Sequence, residues 1–143
     1  MYFKLRNVDF EVTNSRVKLE KRENGIYMSI EVVAATEDKS IDFEMREIEV
    51  TIDGFNTNVQ DIKELENKRF VWDGQVNENN EEAGVFNVVE FEDVTKGTIE
   101  IKRIENNNIT IHWFGTGNIF WSSDFQDNVP FNTEFTTEII IKQ

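Results

Sequence analysis

His112 is the only histidine in the chain. A serine–histidine–carboxylate relay therefore has one imidazole to use, with Ser122 or Ser123 as its serine and some carboxylate as its third member. Residue alternation places His112 inside a strand and the two serines just past the segment that follows, with no Gly-x-Ser-x-Gly elbow to expose a nucleophile. Acid–base chemistry needs a second and a third group in defined roles, so this histidine reads as a satisfied strand residue. The same want of partners removes a histidine zinc site. The absence of cysteine removes thiolate metal sites, iron–sulfur clusters, disulfides and a thiol nucleophile. No cofactor is expected.

Carboxylates are abundant, and glycoside hydrolysis asks only for two of them across a sugar, with rings to stack on it. Asp124 or Asp127 beside Trp121 are the candidates, and a paired-acid hydrolase is the one enzyme class that the inventory leaves open. The main reading is a non-enzymatic chain. The loop Asp73 to Glu82 alternates oxygen donors in the manner of a calcium site. It departs from the EF-hand pattern, because Gln75 stands at the third position and Glu78 at the sixth, where glycine is needed. It reads as a solvated loop, and no metal is expected.

The segment Thr110 to Phe135 gathers the remaining candidates: the single His and Pro, two of the three Trp and five of the twelve Phe. Trp113, Trp121 and Phe125, interrupted by Asp124 and Asp127, suit a binding tip, since large rings anchor interfaces and an acidic rim steers a basic partner. The same rings suit the inner layer of a core.

Period-two alternation runs through the chain and supplies the elements that must hold these residues. Phe131, Thr133, Phe135, Thr137, Ile139 and Ile141 share one face. So do Ile109, Ile111 and Trp113, and so do Ile48, Val50 and Ile52. Further strands are expected over 2–12, 16–21, 26–33, 69–72, 85–91 and 98–104. Asn24-Gly25 predicts a hairpin with a type I′ turn, and the Asn106-Asn107-Asn108 run joins two strands. Asp53-Gly54 and Asp73-Gly74 are expected to end strands, Lys96-Gly97 to start one, and Gly115-Thr116-Gly117-Asn118 to turn the chain back. One short helix is expected over 58–66, with Asn58 as its cap. The fold class is all-β, an antiparallel β-sandwich or partly open barrel of about 8–10 strands, in one domain spanning 1–143.

A chain of 143 residues is long enough to form a core without disulfide or metal staples. Its start, MYFKLRNVDFEV, lacks the apolar run of a secretory signal and reads as cytoplasmic, and no apolar stretch is long enough to cross a membrane as a helix. The net charge is −13, with six Lys/Arg against four Asp/Glu in residues 1–30 and nine against twenty-four in the remainder. Such a field repels phosphate backbones and anionic head groups, so nucleic acid and membrane are disfavoured as partners and a basic protein is favoured.

In size, acidity, lack of cysteine and lack of a catalytic constellation, the chain resembles the small cytoplasmic immunity proteins of bacterial polymorphic toxin systems. The resemblance implies a tight complex in which carboxylates occupy a toxin's positively charged cleft or the surface beside it. Asp73, Glu81, Glu82, Asp124 and Asp127, on expected loops next to aromatics, are the first residues to test. The alternative is a small-molecule or carbohydrate-binding β-domain that stacks its ligand on Trp113, Trp121 and Phe125.

Overall fold

The computed structural model describes residues 1–72, 85–88, 90–122 and 124–142. They form nine strands: β1 Tyr2–Leu5, β2 Val8–Arg22, β3 Gly25–Ala35, β4 Glu47–Asn56, β5 Arg69–Trp72, β6 Val85–Val88, β7 Glu90–Glu105, β8 Asn108–Trp121 and β9 Asp124–Lys142. The only helical elements among the described residues are two single 3₁₀ turns, Phe43–Met45 and Ile62–Leu65. The fold is all-β, as the alternation predicts.

All nine strands belong to one sheet, in the order β5-β7-β6-β4-β3-β2-β1-β9-β8, and β8 also pairs with β7. The ladders thus return to their starting point, and the curled sheet is a partly open barrel. Among the described residues every ladder is antiparallel except one: Val17–Glu20 of β2 runs parallel to Ile139–Lys142 of β9. β6 and β5 follow one another along the same edge of β7, opposite Glu90–Asp93 and Gly97–Glu100. Only β6 reaches across to β4, and among the described residues β5 pairs with β7 alone. The wall is therefore open between β5 and the end of β4, where Phe55 meets Phe70 edge-on at 5.3 Å between ring centres.

The inner faces are those that period two selects. Ile48, Val50 and Ile52 are buried, as are Ile109, Ile111 and Trp113, and as are Phe131, Thr133, Phe135 and Ile139. Ile141, expected on the last of these faces, is exposed, although β9 there pairs with buried Leu19 of β2. Phe131 lies at the centre: Phe3 stacks on it at 6.0 Å and Trp113 meets it edge-on at 5.7 Å. Thr133 is the polar residue of this layer, and its hydroxyl donates to the Tyr2 carbonyl at 2.7 Å, so burying it leaves that hydroxyl satisfied.

Several local expectations are corrected. Gly115-Thr116-Gly117-Asn118 does not turn the chain. β8 runs straight through it and stays paired with β9, with a register shift between Gly117 and Ile119. The physical reason lies in β7: a Cβ at Gly115 would fall on the Lys96 carbonyl oxygen, so this glycine serves close approach of two backbones. The chain turns at Ser122, whose φ is 53°. The β2–β3 hairpin stands where Asn24-Gly25 predicts it, but the ladder closes at Arg22 and Gly25, so Glu23 and Asn24 make the turn, and Gly25, the first residue of β3, has a φ of 140°. The type I′ signature is at Asn106 and Asn107, with φ of 52° and 67°, between the paired Glu105 and Asn108.

Residues 58–66 form no α-helix. Asn58 is left-handed, and Asp61 caps the short 3₁₀ turn by accepting from the Lys63 N–H at 3.0 Å. The expected first strand is split by a turn at Arg6, with φ of 56°. Asp53-Gly54 forms a bulge within β4, and Lys96-Gly97 lies in the interior of β7. Asp73-Gly74 lies outside the described residues.

Candidate functional site

His112 projects from the outer face of β8 opposite Glu100 of β7 and Glu134 of β9. Its Nδ1–H donates to the Glu100 carboxylate at 2.9 Å, and its Nε2 lies 2.8 Å from Asn132 Oδ1. The Tyr2 hydroxyl donates to the same Asn132 oxygen at 3.1 Å. The hydrogen bond from His112 holds the Glu100 carboxyl below the usual glutamate range, while burial and then the charge of Glu134 push the Tyr2 phenol up. The row braces β7, β8, β9 and β1 against one another. Both imidazole nitrogens have neighbours within hydrogen-bond distance, and Ser122 lies ten residues further along, roughly 30 Å at the rise of a strand. The histidine does not meet the serine, and Ser123 lies outside the described residues.

Of the expected binding residues, Trp113 is fully buried in the core, which removes it from any stacking surface. Both sides of β8 carry rings, so the sequence names two faces without saying which is inside. Trp121 is partly buried, and the Arg6 guanidinium lies 5.5 Å from its ring centre, taking up one of its faces. Asp124, Phe125 and Asp127 are exposed at the β8–β9 turn, where Phe120 packs edge-on against Phe125 at 5.6 Å. The concavity beside them, lined by Arg6, Asn7, Phe125 and Asp127 among others, takes in only one of the two carboxylates proposed for hydrolysis. Asp73, Glu81 and Glu82, and with them the calcium pattern, lie outside the described residues. Among the described residues no three His, Cys, Asp or Glu side chains are grouped to hold a metal ion.

The structure adds residues that the sequence did not mark. Phe43 is 82% exposed on the first 3₁₀ turn, although its alternation with Ile41 and Met45 resembles any buried segment. Met45 of that turn is buried, and its Sδ accepts from the Ser122 N–H at 3.1 Å. This contact sets the Phe43 turn against the β8–β9 turn, so Phe43, Phe125, Asp124 and Asp127 belong to one end of the barrel. Glu44 and Glu47 flank Phe43 and are exposed. Arg46, between them, donates through Nε to the Ile41 carbonyl at 2.8 Å and lies 5.7 Å from the Phe43 ring centre, so it is held within its own loop. Further along β4, burial and then the charges of Glu31 and Glu47 push the Glu49 carboxyl above the usual range. No described helix is long and apolar enough to cross a membrane. Comparison with protein-family models, curated proteins and solved structures gave no match.

Proposed function

We propose that this domain is a non-enzymatic module that binds a basic protein, as an immunity protein covering the positively charged surface of a toxin or effector. The observation that carries the reading is the rim at one end of the barrel, where Phe43 and Phe125, 82% and 52% exposed, stand among Glu44, Glu47, Asp124 and Asp127. Exposed rings supply the apolar anchors of an interface, and the surrounding carboxylates raise the encounter rate with a cationic surface and exclude acidic competitors. The crowding of Glu49 with Glu31 and Glu47 favours the same partner, because bound cations relieve repulsion between like charges.

The test is co-purification with the product of the neighbouring reading frame, followed by titration at increasing salt. The expected complex weakens as salt rises, through a slower association rate, and loses about tenfold or more in affinity when Phe43 or Phe125 becomes alanine. A complex indifferent to salt and to both substitutions would place the interface elsewhere and refute this reading.

A further inference from the structure

On the outer face of β7, β8, β9 and β1, with β5 beside it, Lys4, Arg6 and Lys96 come together one row along from Glu100 and Glu134. Gly97 and Thr98 of β7 pair with Gly115 and Phe114 of β8, and Thr116 pairs with Pro130 of β9. The short side chains leave a depression of about 560 Å³, within the range of small-molecule sites. Its walls are apolar: Val71, which is 69% exposed, with Phe114 and Pro130. Lys4, Arg6 and Lys96 line the same depression.

These three cations are poorly compensated. Among the described residues Lys4 has a single carboxylate partner, Asp9 at 3.9 Å, and both side chains are more than half exposed. Arg6 rests over Trp121, and no described carboxylate pairs with Arg6 or with Lys96. The chain has almost twice as many acids as bases, so three bases around one apolar hollow, with Asp9 the one described carboxylate in an ion pair with any of them, make a local excess of positive charge. A ligand that completes it carries a negative head and an apolar body.

We propose that this depression binds a small organic anion, its carboxylate or phosphate held by Lys4, Arg6 and Lys96 and its flat apolar part laid against Phe114, Pro130 and Val71. The site meets the tip concavity only at Arg6 and Pro130 and needs no protein partner. Charge-assisted hydrogen bonds fix the head, and the exposed valine gains burial from the body.

The test is titration of the isotope-labelled protein with 1-naphthoate, with 1-naphthylmethanol as the neutral probe and inorganic phosphate as the head alone. Naphthoate is expected to saturate and to shift the amide signals of Gly97, Thr98 and Gly115, and the neutral alcohol to bind at least about tenfold more weakly. Lys4→Gln, Lys96→Gln and Val71→Glu change exposed side chains. Each is expected to leave the thermal midpoint in place and to weaken naphthoate about tenfold, the lysine variants by losing one charge-assisted contact and Val71→Glu by setting a like charge against the anion. The proposal is overturned if naphthoate does not saturate, if the alcohol binds equally well, or if the three variants bind like the parent. Binding of phosphate alone, or of an acidic peptide where naphthoate fails, overturns it as well.

Discussion

The Glu100 carboxylate and the His112 imidazole, opposite one another on β7 and β8, are joined at 2.9 Å. A carboxyl held below its ordinary value stabilises the fold wherever it is ionised, and that contribution is lost as pH falls through the folded-state value, beneath the usual glutamate range. Glu100→Gln is expected to lower stability at neutral pH by about 1 kcal/mol or less, since the pair is partly solvated. The difference from the parent should vanish in acid. Urea unfolding at several pH values checks this, and a constant difference would sink it.

Glu49 has the opposite sign. Burial and two neighbouring glutamates raise its carboxyl, so its ionised form costs stability at neutral pH, and the cost disappears as pH drops below the ordinary glutamate range. Glu49→Gln is expected to raise the neutral-pH unfolding free energy by a few tenths of a kcal/mol, up to about 1. A destabilised variant would show that the carboxylate is compensated.

Gly115→Ala is expected to be among the costliest single-methyl additions, at about 3 kcal/mol, because the obstacle is the Lys96 carbonyl, a backbone atom that cannot swing aside. Gly54→Ala meets open space and pays only for its left-handed φ of 47°, about 1 kcal/mol. Chemical denaturation of the two variants side by side measures the contrast, and equal losses would contradict the close approach.

Trp113→Ala is expected to cost about 3–5 kcal/mol through the cavity it leaves beside Phe131. Phe43→Ala should stay within about 0.5 kcal/mol of the parent, as its ring is in solvent. Melting curves for the pair distinguish core ring from surface ring, and a large loss at Phe43 would mean that it supports the fold.

Period two made the strand faces readable, since Ile48, Val50 and Ile52 or Ile109, Ile111 and Trp113 could share only one side of a sheet. It could not say that the Trp113 side is inside, because His112 and Phe114 make the other side equally rich in rings. Glycine was ambiguous for a related reason: at Gly115 it answers to a neighbouring strand, about twenty residues away in sequence, and local turn chemistry is blind to that. Of the acidic tip, Asp124, Phe125 and Asp127 were legible from their polar interruption of the aromatic run. Phe43 and the cationic hollow were not, since Lys4, Lys96 and Pro130 meet only through ladder register, which alternation leaves unspecified.

The parallel ladder between β2 and β9 has a consequence for synthesis. Residues 17–20 wait for residues 139–142, so a chain leaving the ribosome carries an incomplete wall, with that edge of β2 bare, until β9 has emerged. Closure of that seam, like that of β1 with β9, joins parts of the polypeptide far apart in sequence and belongs to the slow class of folding events. The nascent protein is most exposed to edge-to-edge association during that interval.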